Sequence, residues 1–221
     1  MPAGGQGERF GGETPKQMIE VSGKPLLAWT IERLLAAGVE GLTVALPEDW
    51  LPSASAILGA DERICWVAGG RSRQRSVAAC LAASPERVDL VLVHDGARPA
   101  VAIDDVLATI AAVGEDDGAV LGRPMVDTLK QVEDGRILGT VDRRTLFRAE
   151  TPQVFRRQIL ARALEQGEQD GFDGTDEAAM VERLAGARIN VAMAGRPNPK
   201  LTLPQDLPWV RMLLQEGQSV S

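Results

Sequence analysis

The stretch that decides the fold is DLVLVHDGARP, residues 89–99. Residues 91–93 form a continuous apolar run, which is typical of a strand that is covered on both faces. Asp95 follows this run at the carboxyl end of the predicted strand, where open α/β sheets bind their ligands. Gly96 permits close approach of a backbone, and Arg98 is positioned by the proline after it. The stretch therefore predicts a buried strand that presents charged groups at its end.

The same alternation of short apolar strands and amphipathic helices extends along the chain. It predicts an α/β fold with a mostly parallel sheet flanked by helices, joined by right-handed connections. Further strands are predicted at residues 42–46, 63–70, 118–124 and 188–195. Helices are predicted at residues 24–38, 51–60, 72–84, 103–115, 152–167, 175–186 and 203–215, with Thr175 as an N-cap.

The alternation of apolar strands and amphipathic helices stops between residues 126 and 147. Two alternating segments flank Asp134-Gly135, and an Asp-Gly pair is a strong signal for a β-hairpin. The segment carries little apolar mass of its own, so we expect it to protrude and to pack against a second subunit. We predict that residues 1–221 form one domain with this hairpin as its appendage.

Composition narrows the possible functions. Of the 221 residues, 44% are hydrophobic and 25% are charged, and the formal net charge is −7, which argues against general binding to nucleic acid. No apolar run is long enough for a membrane span, and no signal-peptide pattern is present. Cys65 and Cys80 match neither a metal site nor a redox pair, so we expect buried, reduced thiols and a cytoplasmic protein.

Three segments could carry chemistry. The opening loop is rich in glycine and contains Arg9 and Lys16, a composition suited to an anion, although a flexible terminus would look the same. Asp95 could hold a divalent cation or a ligand hydroxyl, or could simply cap a turn. Three arginines crowd the start of the helix at 72–84, which destabilises it unless a carboxylate or an anion answers them. His94, the single histidine, is predicted to be structural.

Seven motifs occur together in one order: PAGGQGERF…TPKQ, GG…RQRSV, VHDGARP, DTLK, TVDR…TPQ, TDEA and GRPNPKLT. In this order they resemble the 2-C-methyl-D-erythritol 4-phosphate cytidylyltransferase family of the non-mevalonate isoprenoid pathway. The resemblance extends from residue 2 to about residue 206. It implies a Rossmann-like nucleotidyltransferase fold with a protruding β-arm for homodimerisation, a requirement for Mg²⁺, and transfer of a cytidylyl group from CTP to the polyol phosphate.

The resemblance also implies roles for individual residues. It makes Arg9, Lys16, Arg143 and Lys200 catalytic, with Arg143 supplied by the neighbouring subunit. It places Ala3, Gly4, Gly5, Gly7, Gly70, Ser76, Asp95 and Gly96 along CTP, and Asp95 as the one protein ligand of the metal. It places Arg98, Thr128, Arg143, Thr151, Thr175 and Lys200 around the polyol phosphate.

Three departures from the family pattern are present. Ser72 stands where an acidic residue is expected, and two prolines precede Lys200, so we expect a stiffer backbone there. Family members have an apolar strand before the glycine loop, and here only Met1 precedes Pro2. We therefore expect a gap in the centre of the sheet, and suspect a start site placed late or a truncated chain.

Two other functions stay open. A pentitol-phosphate cytidylyltransferase, for example one acting on ribitol 5-phosphate, shares most of the motifs on the CTP side. A non-catalytic nucleotide-binding protein is a different class, and for it we would expect Lys16 or Lys200 to be lost. Both lysines are present.

Overall fold

The computed structural model describes residues 1–4 and 15–216 as an α/β protein with mixed sheets flanked by helices. In chain order the strands are β1 (Glu20–Val21), β2 (Lys24–Pro25), β3 (Leu42–Leu46), β4 (Ile64–Ala68), β5 (Leu90–Val93), β6 (Gly118–Pro124), β7 (Leu129–Glu133), β8 (Arg136–Val141), β9 (Phe147–Arg156) and β10 (Ile189–Met193). The helices are α1 (Leu26–Ala36), α2 (Ala54–Leu58), α3 (Arg73–Ala83), α4 (Ile103–Ala112), α5 (Arg157–Asp170), α6 (Glu177–Val181) and α7 (Leu207–Glu216). Every one of these helices is too short or too polar to cross a membrane.

The main sheet has the strand order β10-β6-β9-β5. Strands β10 and β6 are parallel, whereas β9 runs antiparallel to both β6 and β5. The prediction of a mostly parallel sheet is wrong at β9, and so is the prediction that a helix begins at residue 152. The ten-residue strand β9 is buried from Glu150 to Phe155, and the helix begins only at Arg157. Tertiary pairing on both sides of this strand outweighed its local sequence pattern.

Strands β3 and β4 form a separate parallel pair. Residues 1–3 lie along β3, where Ala3 N donates to Ala45 O at 2.9 Å and Ala45 N donates to Met1 O at 3.0 Å. On the other side, Gly96 N donates to Pro2 O at 3.3 Å. The first three residues therefore connect β3 to the turn after β5, in the place where the sequence predicts a gap.

Strands β7 and β8 form an antiparallel hairpin that turns at Asp134 and Gly135, which both have positive φ. In the described part of the chain the hairpin pairs with no other strand. Most of its apolar side chains are exposed, including Ile137 at 66%. The hairpin predicted from the Asp-Gly pair is therefore present, and its use in dimerisation stays a prediction.

The helices pack on the sheets through apolar faces. On α1, Leu27, Ile31 and Leu34 recur at helical spacing and are buried in one cluster with β3. Two smaller predictions are wrong. Asp176 rather than Thr175 caps α6, because its carboxylate accepts from Ala179 N. Cys65 is exposed rather than buried, since within residues 1–4 and 15–216 β4 pairs with β3 alone and is partly open to solvent.

Candidate active site

A buried carboxylate at the end of β5 gathers three cations. Asp95 Oδ1 accepts from Arg73 Nε at 3.0 Å, and Asp95 Oδ2 lies 2.9 Å from Lys200 Nζ and 3.7 Å from Arg98 Nε. The Asp95 side chain is only 10% exposed. The three cations come from α3, from the turn after β5 and from the segment after β10, so the fold brings together groups that are far apart in the sequence.

A second buried carboxylate holds Arg73 from its other side. Glu177, the first residue of α6, accepts from Arg73 Nη1 at 2.5 Å. Among the three cations and the two carboxylates that pair with them, positive charges outnumber negative ones by one, and the buried carboxylate of Glu150 adds a negative charge near Arg98. The arginine-rich start of α3 was expected to need a carboxylate or an anion nearby. Arg73 has two carboxylate partners, and Ser72 caps the helix by accepting from Arg75 N.

Burial and the neighbouring charges shift the pKa values of Asp95, Arg73, Arg98 and Glu177. Burial by itself raises the pKa of Asp95, but attraction to Arg73 and then to Lys200 outweighs it and lowers that pKa well below its usual range. Burial lowers the pKa of Arg73, yet its two carboxylates raise it above the ordinary value. Burial is the dominant cause for Arg98, whose pKa is lowered, and for Glu177, whose pKa is raised. Asp95 is thus held as a carboxylate and Arg73 as a cation.

Backbone and side-chain hydrogen bonds lock the segments that carry these charges. Asp95 N donates to Thr151 Oγ1 at 3.1 Å, which fixes the turn after β5 against β9. Asn198 Nδ2 donates to Thr151 O at 2.7 Å, and Arg98 Nη1 donates to Asn198 O at 2.7 Å. The segment that carries Lys200 is therefore tied to both β9 and the turn.

Glycines from two segments lie close together at the start of α3. A Cβ atom on Gly4 would meet the Gly69 Cα atom at 3.7 Å and Ser76 Oγ at 3.8 Å. A Cβ atom on Gly70 would lie 2.3 Å from Arg75 Cβ, so only glycine fits there. Ser76 Oγ accepts from Gly70 N at 3.1 Å and donates to Ser72 O at 3.0 Å, so the serine shapes this turn.

The opening segment approaches the same place. A Cβ atom on Gly96 would lie 3.0 Å from Ala3 Cβ, so Ala3 reaches the turn that carries Asp95. Lys16 begins a short 3₁₀ turn, and the next residue, Gln17, donates from Nε2 to Ala3 O. The predicted site residues Ala3, Gly4, Lys16, Gly70, Ser76, Asp95, Gly96, Arg98, Thr151 and Lys200 therefore lie on segments that the fold brings together.

Three predicted substrate residues lie elsewhere. Thr128 and Arg143 flank the hairpin, are exposed, and make no hydrogen bond or ion pair to the Asp95 network within the described ranges. Arg143 Nη1 instead donates to Val126 O. Thr175 is exposed just before Asp176. Arg9, Gly5 and Gly7, which were also predicted to be in the site, lie outside the described residues.

Four residues of the network were not predicted as site residues: Arg73, Glu177, His94 and Asn198. Arg73 carried a signal, because cations at a helix start need a partner. Glu177 lies in the motif TDEA but was not singled out. His94 was set aside as structural because no nucleophile accompanied it, and nothing local in the sequence singled out Asn198.

The described residues do not form a metal site by themselves. Among residues 1–4 and 15–216, no three Asp, Glu, His or Cys side chains gather as a possible ligand set. The carboxylate predicted as a metal ligand, Asp95, already faces three cations, which compete with a metal ion for its oxygens. A divalent cation at this site would depend on oxygens that a ligand brings.

Comparison with known proteins places these features in a family. The model of the 2-C-methyl-D-erythritol 4-phosphate cytidylyltransferase family matches residues 1–216. A protein of that name from Xanthomonas campestris pv. campestris (strain B100) is 44% identical over 217 residues, covering 94% of this chain and 80% of the relative. One from Acidobacterium capsulatum is 39% identical over 233 residues, covering 99% of this chain and 97% of the relative.

Solved structures agree. The crystal structure of 4-diphosphocytidyl-2C-methyl-D-erythritol synthase from Anaerococcus prevotii DSM 20548 superposes with a TM-score of 0.85 at 25% sequence identity. The match covers 97% of this chain and 95% of the other. The architecture described above is therefore shared over nearly its whole length.

Proposed function

Because the chain belongs to the 2-C-methyl-D-erythritol 4-phosphate cytidylyltransferase family, we propose that it transfers the cytidylyl group of CTP to 2-C-methyl-D-erythritol 4-phosphate. The products are 4-diphosphocytidyl-2-C-methyl-D-erythritol and pyrophosphate, in the synthesis of isoprenoid precursors. The observation that carries the proposal is the convergence of Arg73, Arg98 and Lys200 on Asp95, near the closely packed glycines at positions 4, 69 and 70.

The reaction suits a site that has cations and no nucleophile. An oxygen of the substrate phosphate forms a bond to the α-phosphorus of CTP. The bond from that phosphorus to the oxygen bridging the β-phosphorus breaks, and the electron pair leaves with pyrophosphate. The attacking oxygen is already anionic, so no general base is needed. The protein has to position two polyanions and neutralise the charge that develops between them.

The residues divide between the two substrates. We assign Arg9 and Lys16 to the triphosphate and Lys200 to the phosphate at the reacting centre. Residues 3–5 and Gly7 border the nucleotide, and Gly70 and Ser76 lie near the cytosine. Asp95, Gly96 and Arg98 lie near the ribose and the polyol, and Thr128, Thr151 and Thr175 line the polyol pocket.

Buried polar atoms without hydrogen-bond partners support a ligand in this place. Within the described ranges they include Arg98 Nε, Glu177 Oε2 and Asn198 Oδ1. Each belongs to a residue of the network around Asp95. Donors and acceptors that are buried without a partner cost free energy, and hydroxyls of a bound polyol or ribose would satisfy them.

We propose that Mg²⁺ would enter with CTP and be held mainly by phosphate oxygens. Asp95 is the protein ligand that the sequence predicts, and it could serve only where the metal displaces one of the cations that face it. The cation would neutralise phosphate charge. Two measurements separate this from a site built by the protein. Titration of Mg²⁺ alone should give no heat of binding, whereas a chelator should abolish pyrophosphate release. Tight binding of Mg²⁺ in the absence of CTP would contradict the assignment.

We further propose a homodimer in which the hairpin of each subunit completes the other subunit's site. The exposed apolar side chains Val132, Ile137 and Leu138 supply a surface for a second copy. Arg143, at the end of the hairpin, would then be presented to the partner's polyol phosphate. The proposal treats the chain as one catalytic domain, located in the cytoplasm, where free thiols such as Cys80 stay reduced.

One assay tests the substrate. The chain is incubated with CTP, Mg²⁺ and either methylerythritol phosphate or ribitol 5-phosphate, and pyrophosphate release is followed. We expect release with the first. Release with ribitol 5-phosphate alone would replace the proposed function by the pentitol-phosphate alternative, and CTP binding without release in either case would indicate a non-catalytic protein.

A mixing experiment tests the dimer. Arg143→Ala and Lys200→Ala should each abolish most of the activity. When the two variants are mixed, half of the dimers are hybrids, and each hybrid has one site with both wild-type side chains. We expect about a quarter of the wild-type rate to return. If mixing restores nothing, Arg143 does not act across an interface.

A further inference from the structure

His94 is the single histidine of the chain, and its ring is fully buried beside Asp95. Its Nε2 lies 3.0 Å from Arg98 O, and its Nδ1 lies 3.1 Å from Thr151 Oγ1. Neither ring nitrogen takes part in the reaction described above. The question is what a buried histidine adds to a site that needs no base.

The partners determine the direction of each hydrogen bond. Arg98 O is a carbonyl oxygen and can only accept, so Nε2 carries the proton and donates. In a neutral imidazole the other nitrogen then accepts, so Thr151 Oγ1 donates to Nδ1. The same hydroxyl oxygen accepts from Asp95 N at 3.1 Å. Each of these groups thus has a defined role as donor or acceptor.

These hydrogen bonds form a network around the turn from Asp95 to Arg98. His94 precedes Asp95 in the chain, and its ring reaches forward to Arg98 O and across to β9 through Thr151. The hydrogen-bond network extends to the segment that carries Lys200, because Asn198 donates to Thr151 O and accepts from Arg98. The placement of Asp95 and Arg98 relative to β9 therefore depends on both nitrogens of His94.

We propose that His94 is a positioning residue of this site, whose imidazole, protonated on Nε2, holds the turn from Asp95 to Arg98 in register with Thr151. This role rests on the proposed function, because the groups it positions are those assigned to the substrates. His94 does not touch the reacting atoms, and it acts through Thr151 and through the backbone of Arg98.

The tautomer can be measured without any turnover. With ¹⁵N-labelled histidine, the single imidazole gives one pair of ring nitrogen signals. We expect a protonated Nε2 and an unprotonated Nδ1. A protonated Nδ1 at neutral pH would reverse the donor to Thr151 and overturn the proposal.

Two substitutions separate the two hydrogen bonds. In His94→Gln the longer side chain can still donate an N–H to Arg98 O but loses the acceptor for Thr151. In His94→Asn the shorter side chain can accept from Thr151 but loses the donor to Arg98. We expect each to lower kcat at saturating CTP and polyol phosphate at least tenfold, and to speed amide exchange of Asp95 at least tenfold.

A matched control distinguishes positioning from general stability. Thr109 is buried, and its hydroxyl donates to Asp105 O within α4, away from the turn. Thr109→Val should lower the melting temperature without changing kcat at a temperature where it is fully folded. If His94→Gln behaves like this control, its role is only structural and the proposal fails.

A double-mutant cycle adds a test of the route. Thr151→Val removes the hydroxyl through which His94 acts, so His94→Gln combined with Thr151→Val should be no worse than the more damaging single change. Additive losses in kcat would overturn the proposed route. If the wild-type chain releases no pyrophosphate, the proposed function fails, while the tautomer and the exchange of the Asp95 amide still decide whether His94 positions the turn.

Discussion

The network around Asp95 and the β7–β8 hairpin both carry residues that we assign to the substrates. They differ in whether those residues are held by contacts within the chain or are exposed to solvent. Around Asp95, three partly exposed cations pair with two buried carboxylates, those of Asp95 and Glu177, within the chain. On the hairpin, Thr128 and Arg143 are exposed, and the apolar side chains near them face solvent. One half of the proposed site is thus held together by the fold of a single chain, and the other half is placed where a second copy can reach it.

Removing the Asp95 carboxylate should have the largest effect, a loss of stability in the network around Asp95. Asp95→Asn leaves Arg73 paired with Glu177 but removes the carboxylate that Arg73, Arg98 and Lys200 share. We expect a loss of ~3 kcal/mol in the free energy of unfolding, because uncompensated charges then stay buried. Chemical denaturation measures it. Asp142→Asn, which breaks the exposed pair with Arg144 near the hairpin, is the control and should leave the denaturation midpoint unchanged.

Acid should destabilise the network around Asp95 before it affects the β7–β8 hairpin. Burial lowers the pKa of His94 to about 4 from an ordinary value of 6.5. Between these two pH values the imidazole binds a proton in the unfolded chain but not in the folded chain. The stabilisation is complete above pH 6.5 and is lost as the pH falls towards 4, by about 3 kcal/mol in all.

The acid effect is measured as the difference between wild type and His94→Gln in unfolding free energy across this pH range. The raised pKa of Glu177 acts in the opposite sense, and taking the difference removes its contribution. The lowered pKa of Asp95 removes stability as the pH falls below about 5, and its contribution also cancels in the difference. A difference that does not change between pH 7 and pH 4 would contradict the expected titration.

Loss of one cation should reduce catalysis far more than folding. Lys200→Ala removes a charge aimed at the reacting phosphates, and we expect kcat to fall about a hundredfold, a cost of about 3 kcal/mol in the barrier. Lys24→Ala is the matched control, because Lys24 pairs with Glu32 rather than with Asp95 and covers the ring of Trp29. Steady-state kinetics with both variants decides whether the effect belongs to position 200.

The smallest expected effect on the folded chain comes from the hairpin. Ile137→Lys places a charge on a side chain that is 66% exposed, so the unfolding free energy of the monomer should change by less than about 0.5 kcal/mol. Dimerisation should weaken instead, and activity should fall on dilution. Sedimentation across a concentration series tests this, and an unchanged dimer would remove the hairpin from the interface.

The contrast also explains what the sequence could predict. Strand β5 and Asp95 were predictable because a continuous apolar run followed by a polar turn is a local signal. The hairpin was equally local, through Asp134-Gly135. Strand β9 was not predictable, because its apolar residues continue directly into those of α5 and only pairing with β5 and β6 separates the two elements. Likewise, no local signal pairs Arg73 with Glu177, which lies 104 residues away.

The antiparallel direction of β9 has a consequence for how the molecule reaches its folded state. Because β9 runs antiparallel to β5, the middle of β9 lies beside the end of β5, so Thr151 meets Asp95 across 56 residues of sequence. The contact between Arg98 and Asn198 spans 100 residues. Contacts between such distant residues close late, since the entropy of a long loop has to be lost first. In refolding, helical signal should therefore recover before activity, and the recovery of CTP turnover would report completion of the main sheet.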